Sequence, residues 1–329
     1  MKVVQKYNLT GPDKYDHFLG AGWFYHFNVN SQLHMFYAVG GSFNTLEVTL
    51  ASSSATKEPQ LDYRGSIMAW SMNKSGGDFK LNQFLTGDDR LKINSPAITY
   101  NRANKKVYIV GGITPEFKPT DAILEYDVET NKLVTVGATH KLRYNHTCCS
   151  YKGRVFIAGG INFNKYCEGT ATNKIRPMER ITDLHTSYAE TDVEVFTPGE
   201  PRAKNMQATS QISASHLMIR SVSIFLPCFE KDMLVLFGGN CGVRMLSQGP
   251  SIAFDINTRN WIYFGENNLH REYVVGQDMA VSPHTLIVDF EGYQTENSAT
   301  FMVADPSYVK THIITFTAKG AEKTYRWVY

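Results

Sequence analysis

Three residues near the middle of the chain, Glu179, Asp183 and His185, carry side chains of the kinds that hold a metal ion. In a helix, the four-residue spacing of Glu179 and Asp183 puts both carboxylates on one face. His185 follows Asp183 by only two residues. We therefore interpret Pro177–His185 as a solvated polar helix. We expect no metal site, and these three residues are the one weak candidate set.

Motifs of the common catalytic classes are missing from the sequence. It has no His-x-His or His-Glu-x-x-His cluster, no Gly-x-Ser-x-Gly and no phosphate-binding loop followed by a helix. The ten histidines are scattered, and we expect loop histidines with satisfied hydrogen bonds. No catalytic residue and no cofactor is predicted, although histidines distant in sequence could still meet in space.

Composition excludes several classes of protein. The chain has 329 residues, a net charge of +2 and 43% hydrophobic residues, which is a globular composition and not that of a strongly basic nucleic-acid-binding protein. No apolar run reaches the roughly 18 residues that a membrane-spanning helix needs. The first residues lack the apolar core of a secretory signal. Five cysteines without a Cys-x-x-Cys pair favour reduced thiols. We therefore expect an intracellular, cytoplasmic location.

The dominant feature of the sequence is a repeated apolar run that ends in two glycines. Four runs end in this way, at Gly40-Gly41, Gly111-Gly112, Gly159-Gly160 and Gly238-Gly239. A fifth run, Leu286–Gly292, keeps only the second glycine. We expect these glycines to be structural, because a strand that ends without a Cβ allows a neighbouring backbone to come close.

The surroundings of each run predict a four-stranded unit. A hairpin precedes the Gly-Gly strand as its second strand, and a further strand, a short turn and a fourth strand follow it. The continuous apolar character of the second strand indicates burial on both faces. Because one such sheet cannot bury both faces alone, the units must pack against each other, as the blades of a β-propeller do.

With these repeats, the sequence resembles the kelch-repeat β-propeller family. The resemblance rests on the Gly-Gly strands, the Tyr126-Asp127 and Phe254-Asp255 pairs, Trp261 and the segment Arg143–His146. It implies an all-β fold: a single closed propeller domain spanning residues 1–329. Five blade-like units can be counted, at about 16–85, 95–137, 143–206, 215–265 and 272–318, and six remain possible. We expect one of the terminal segments, 2–9 or 323–329, to complete the closing blade.

The functional expectation follows from the family and from the missing catalytic motifs. We expect a non-catalytic protein–protein interaction scaffold, or a subunit of a larger assembly, whose partner is a protein. The alternative is an enzyme: a sugar-modifying kelch protein of the mutarotase or oxidase class, or a metal-dependent kelch protein, with its site at the axial channel.

Strand parity predicts which face binds. Both long insertions, Ser42–Gly65 and Ile161–Thr191, connect a second strand to a third, so they lie on the same side of the disc. The second insertion mixes aromatic and charged residues in a way that suits an interface. The predicted partner-binding residues are Arg143, Tyr166, Arg176, Met178, Arg180, Leu184 and Tyr188.

Overall fold

A computed structural model describes fourteen stretches of the chain. These are residues 21–28, 30–31, 33–42, 63–73, 80–101, 103–176, 186–209, 222–226, 233–237, 251–264, 286–295, 298–305, 310–319 and 324–328. They form five four-stranded antiparallel sheets in which the strands follow each other in chain order. The all-β prediction is confirmed.

The first three sheets cover residues 22–206. The first contains β1 (Gly22–Asn28), β2 (Leu33–Val39), β3 (Ser66–Asn73) and β4 (Lys80–Thr86). The second contains β5 (Ala97–Asn101), β6 (Lys106–Val110), β7 (Ala122–Asp127) and β8 (Lys132–Ala138). Before the third sheet comes β9 (Arg143–Tyr144), which pairs with β12 (Ile161–Asn162). The third sheet contains β10 (Thr147–Tyr151), β11 (Arg154–Ala158), β13 (Val193–Phe196) and β14 (Lys204–Met206).

Two further sheets follow. The fourth contains β15 (Val222–Leu226), β16 (Met233–Phe237), β17 (Ser251–Asp255) and β18 (Asn260–Phe264). The fifth contains β19 (Leu286–Thr295), β20 (Ser298–Asp305), β21 (Lys310–Lys319) and β22 (Thr324–Val328). Helix is scarce in the described ranges: α1 (Phe163–Thr170) and two single-turn 3₁₀ helices, Asp89–Leu91 and Thr186–Tyr188. No helix in the described part of the chain is both long and apolar enough to cross a bilayer.

The hydrophobic core lies between the sheets. In β6, Val107 and Ile109 pack toward the first sheet, whereas Tyr108 and Val110 pack toward the third. Residues of β11 alternate in the same way between the seams with the second and fourth sheets. Because successive side chains point to opposite faces of a strand, a strand between two neighbours must be apolar at every position. This explains the continuous apolar runs.

The first strands of adjacent sheets are neighbours. β5 lies beside both β1 and β10, and β15 lies beside both β10 and β19. β19 also lies beside β1, so the first strands contact each other in cyclic order.

The glycine pairs lie where two segments of backbone meet. Gly160 has a φ of +80°, and a Cβ added there would come within 2.6 Å of the Tyr144 carbonyl oxygen. Gly40 has a φ of +64°, and its added Cβ would come within 2.6 Å of the Ile93 carbonyl oxygen. Both the conformation and the close approach therefore require glycine at these positions. Gly41, Gly111, Gly112 and Gly159 also have positive φ, whereas Gly238 and Gly239 lie outside the described residues.

The structure differs from the sequence analysis at the end of the chain. Leu286–Gly292 was expected to be a second strand, but it belongs to β19, the first strand of its sheet. A single glycine does not distinguish a second strand from a first strand, because a first strand that lies between two neighbouring sheets is also apolar. The fifth sheet therefore extends beyond the expected boundary at 318, and the C-terminal segment supplies its fourth strand, β22. The other terminal segment, 2–9, and the expected helix Pro177–His185 lie outside the described residues. The helix that is present, α1, was not anticipated.

Candidate functional site

Described residues in the loops between second and third strands connect the first three sheets. Each loop is closed by one bridge between its ends: Ser42 to Tyr63, Ile113 to Pro119, and Ile161 to Ala189. The loops are also joined to each other.

Two hydrogen bonds make these joints between neighbouring loops. The Tyr63 hydroxyl donates to the carbonyl oxygen of Thr114 at 3.0 Å, which links the first loop to the second. The Ile175 amide donates to the carbonyl oxygen of Phe117 at 2.7 Å, which links the second loop to the third. The described segments of the three loops are therefore joined to one another.

The long insertion of the third sheet, Ile161–Thr191, has a hydrophobic core of its own. α1 begins after Asn162, whose side-chain oxygen accepts a hydrogen bond from the Lys165 amide and so caps the helix. Tyr166 on this helix is fully buried and contacts three other rings at centroid distances of 5.7–6.3 Å. Those rings belong to Tyr144, Phe163 and Tyr188. Phe117 of the second sheet and Ile175 belong to the same cluster, so the described part of the insertion packs against its neighbour.

Beneath the insertion lies a buried ion pair. Arg143 and Glu194 have side chains 1% and 0% exposed, and the guanidinium donates to a carboxylate oxygen of Glu194. The other terminal nitrogen of Arg143 donates to the carbonyl oxygens of Gly159 and Asp192, each at 3.2 Å. Glu194 also accepts hydrogen bonds from the backbone amides of His140 and Lys141. Hydrogen bonds of this kind are what make a buried charge pair tolerable.

A second group of charges adjoins this pair. The Lys141 ammonium donates to Glu190 at 3.0 Å and to Asp192 at 2.6 Å. Asn162 donates from Nδ2 to the other oxygen of Glu190 at 2.6 Å. We refer to Lys141, Arg143, Asn162, Glu190, Asp192 and Glu194 as the charged network. It connects the segment before the third sheet, both ends of the insertion and β13.

The network lowers the pKa of two of its carboxyl groups. Burial alone would raise the pKa of Glu190, but the charge of Arg143 and hydrogen bonds from the Asp192 amide and Asn162, together with Lys141, outweigh it. For Asp192, burial is likewise outweighed by hydrogen bonds, the largest from Lys141, and its pKa is also lowered. Both groups are therefore carboxylates at neutral pH.

His146, in the same segment as Arg143, is fully enclosed. Its Nε2 lies 3.1 Å from the carbonyl oxygen of Val110, which can only accept, so Nε2 carries the proton. Burial, aided by the charge of Arg143, lowers the pKa of His146 to about 3. Its Nδ1 has no hydrogen-bond partner among the described residues. Within the described residues, Nε2 is therefore the ring nitrogen of His146 that makes a hydrogen bond.

The predicted partner-binding residues occupy three different positions. Arg143 and Tyr166 are buried, so they support the surface from beneath and do not present side chains on it. Arg176 is exposed and Tyr188 is half-buried. Met178, Arg180 and Leu184 lie outside the described residues, as do Glu179, Asp183 and His185. Within the described residues, no three or more His, Cys, Asp or Glu side chains are arranged to hold a metal ion.

The sequence analysis missed the charged network apart from Arg143. The signal that could have revealed it is the position of Glu194 in β13. The equivalent third-strand residues, aligned through their pairing with the second strand, are Met68, Leu124 and Ile252 in the other sheets. A carboxylate at a position that is otherwise apolar indicates a buried partner of opposite charge.

Comparisons with known proteins agree with this architecture. No protein-family model matches the chain. The Kelch repeat and BTB domain-containing protein 12 of Danio rerio is 28% identical over 92 residues, which cover 26% of this chain and only 14% of that protein. The solved structure of YjhT superposes with a TM-score of 0.50 at 12% identity, covering 86% of this chain and 72% of the YjhT chain.

The sequence match and the structural match support different statements. The first is to a protein with kelch repeats, and the second shows the fold alone at its level of identity. The Gly-Gly repeats and the four-stranded sheets that they build agree with both. Together they support a divergent resemblance of this chain to the kelch-repeat β-propeller proteins.

Proposed function

We propose that this protein is a non-catalytic interaction scaffold that binds a protein partner, as a subunit of a larger assembly. The binding surface is the face that carries the loops between second and third strands. The observation that carries the proposal is the joining of these loops across three sheets through Tyr63, Thr114, Phe117 and Ile175. Loops on a rigid frame are where recognition concentrates, and a surface that is already ordered loses little conformational entropy on binding.

Closure of the five sheets into one propeller domain is part of the proposal. The cyclic order of contacts between first strands, with β19 beside β1, supports it. A closed ring holds the loop face rigid because every sheet packs against a neighbour on both of its faces and keeps only short, protected edges. A cytoplasmic location also belongs to the proposal, and the free thiols of Cys148, Cys149 and Cys167 support it.

The outer side of the long insertion is the part of the face that we assign to the partner. Its described residues include exposed charged and polar side chains and the half-buried ring of Tyr188. These exposed residues are Asn164, Lys165, Glu168, Asn173, Arg176 and Ser187. A segment that combines a tyrosine ring, polar groups and an arginine has the composition of an interface more than of an ordinary loop.

The test exchanges one loop for another that the same fold already contains. In the second sheet, residues 114–118 connect the bridged pair Ile113 and Pro119; in the third, residues 162–188 connect the equivalent pair Ile161 and Ala189. A chimera that carries the sequence of 114–118 in place of 162–188 keeps the closing bridge. We expect it to retain its circular dichroism spectrum and size-exclusion volume but to lose its main partner.

Partner recovery is measured with immobilised wild-type and chimeric protein in extract from the producing cells. Proteins recovered only by the wild type are then purified and titrated calorimetrically against both forms. The control replaces residues 43–62 of the first sheet by the same short loop, and this variant should still bind. Binding of the purified partner to the chimera with wild-type affinity would contradict the proposal.

A further inference from the structure

The two ends of the long insertion are joined by both backbone and side-chain contacts. In the backbone, Ile161 bridges Ala189, and the Glu190 amide donates to the carbonyl oxygen of Gly160 at 2.9 Å. In the side chains, Asn162 Nδ2 donates to Glu190 at 2.6 Å. Asn162 and Glu190 are 8% and 2% exposed, so this hydrogen bond is shielded from water.

Asn162 makes two contacts that require the two different ends of its amide group. The oxygen caps α1 by accepting from the Lys165 amide at 3.1 Å, and the nitrogen donates to the carboxylate of Glu190. One side chain therefore fixes the start of the helix relative to the end of the insertion. An aspartate would serve equally well as a cap but has no donor for Glu190.

The short loop of the second sheet shows which part of this arrangement is specific to the insertion. Thr120 is the residue equivalent to Glu190, since each directly follows the bridging residue of its loop. The Thr120 hydroxyl accepts from the amide two residues on, and Glu190 makes the same contact with the Asp192 amide. Only the carboxylate of Glu190 reaches further, to Asn162 and Lys141.

We propose that Asn162 and Glu190 are positioning residues that seat α1 of the insertion on the frame of the third sheet. The hydrogen bond between them sets the orientation of the helix and so of the surface above it. This inference rests on the proposed function for its consequence, since the seated helix carries Asn164, Lys165 and Glu168 of the partner surface. Its structural content is independent of any partner.

The test reverses the polarity of this one hydrogen bond. Asn162→Asp keeps the cap but places two carboxylates against each other. Glu190→Gln keeps one acceptor oxygen for the Lys141 ammonium and the Asp192 amide, but turns an amide donor toward Asn162. The double variant Asn162→Asp/Glu190→Gln restores the bond with donor and acceptor exchanged, and it has the same net charge as the wild type.

Hydrogen exchange, resolved by mass spectrometry on the full chain, measures the seating of the helix. In Asn162→Asp, amides of Phe163–Thr170 should exchange roughly tenfold faster or more, as expected for the loss of a hydrogen bond to a charged group. Amides of β10 and β11 should keep their wild-type rates. The double variant should return the helix to within about threefold of wild type.

Unchanged exchange of the helix in Asn162→Asp, or no recovery in the double variant, would overturn the inference. If Asn162→Asp does not fold, Asn162→Ser replaces it, since serine also caps a helix but is too short to bridge to Glu190. Recovery of the partner should fall in the single variant and return in the double. If exchange follows this pattern but partner recovery does not change, the proposed partner surface is wrong while the positioning role stands.

Discussion

The second and third sheets have the same backbone but different chemistry beneath their loops. In each, the residue after the Gly-Gly pair bridges the segment that precedes the first strand: Ile113 pairs with Asn94, and Ile161 pairs with Tyr144. In each, the residue two positions before the first strand has a left-handed backbone, with φ of +53° at Ser95 and +55° at Asn145. The repeated backbone is thus set by glycines and main-chain hydrogen bonds.

The side chains at equivalent positions differ in kind. Ile93 and Leu124 of the second sheet are buried in one hydrophobic cluster. Their equivalents in the third sheet are Arg143 and Glu194, which form the buried ion pair. A buried pair of opposite charges is close to neutral in stability when complete, but a single remaining charge is costly. The same backbone therefore accommodates either two apolar side chains or two opposite charges at these positions, but not one of each.

Removing one member of the ion pair should have the largest effect. Glu194→Leu leaves Arg143 buried without its carboxylate and should lower the free energy of unfolding by about 3–5 kcal/mol. Arg143→Ile/Glu194→Leu copies the apolar pair of the second sheet and should recover at least ~2 kcal/mol of that loss. Recovery should be incomplete, because the amides of His140 and Lys141 lose their acceptor. Urea midpoints measure both variants.

The matched changes in the second sheet complete this experiment. Leu124→Glu places a carboxylate opposite Ile93 and should destabilise the protein as strongly as Glu194→Leu. Leu124→Met conserves volume and should cost under about 1.5 kcal/mol. Equal urea midpoints for Glu194→Leu and the double variant would show that the two sheets do not differ in the way described.

The glycines that the two sheets share should show the next largest effect. Gly160→Ala combines a φ of +80° with a Cβ 2.6 Å from the Tyr144 carbonyl oxygen, whereas Gly199 has a φ of +94° and no atom within 4 Å of its added Cβ. Gly199→Ala should cost about 1–2 kcal/mol, from the left-handed backbone alone. Gly160→Ala should cost a further ~1–3 kcal/mol for the overlap. Thermal melts distinguish the two, and equal melting temperatures would refute a role for the close approach.

The sequence was enough to predict what the sheets have in common. The Gly-Gly runs, the hairpins and the Asp127 and Asp255 turns are local patterns, and the aspartates do accept hydrogen bonds from the amides of their turns. What differs between sheets could not be predicted in the same way. Arg143 was assigned to the surface because its partner Glu194 is 51 residues away in the chain. The fifth unit was expected at about 272–318, but its sheet spans Leu286–Val328. Gly292, without a second glycine beside it, does not mark the end of a strand.

Acid should weaken the third sheet through groups that the second sheet lacks. The lowered pKa values of Glu190 and Asp192 stabilise the fold above the ordinary carboxyl pKa of about 4, and this contribution is lost as pH falls through the lowered values. Lys141→Met should therefore lower the melting temperature at pH 7, and the gap to the wild type should narrow below about pH 4.

The control for the pH experiment is Thr120→Val. Thr120 occupies the place of Glu190 in the second sheet and does not titrate, so its gap to the wild type should be the same at every pH. Melting temperatures taken between neutral pH and about pH 3 provide the measurement. A gap for Lys141→Met that stays constant across this range would show that the carboxylates do not stabilise the third sheet through Lys141.

The smallest effect should appear in the reactivity of two adjacent cysteines that report on the two seams of the third sheet. Cys148 packs in the seam with the second sheet and Cys149 in the seam with the fourth. Burial raises the pKa of the Cys148 thiol, so alkylation of the native protein is slow. Glu194 bonds to the amides of His140 and Lys141, which places its carboxylate on the side of the second sheet.

Glu194→Gln weakens the ion pair without removing the side chain, and it should loosen only the seam with the second sheet. We expect alkylation of Cys148 to accelerate a few-fold relative to that of Cys149, with the half-buried Cys167 as the internal reference for reagent activity. Peptide mass spectrometry of timed iodoacetamide reactions measures the three rates separately. Opening of the whole sheet would accelerate Cys148 and Cys149 equally, and that result would mean that the ion pair holds the third sheet together as a unit and not one seam of it.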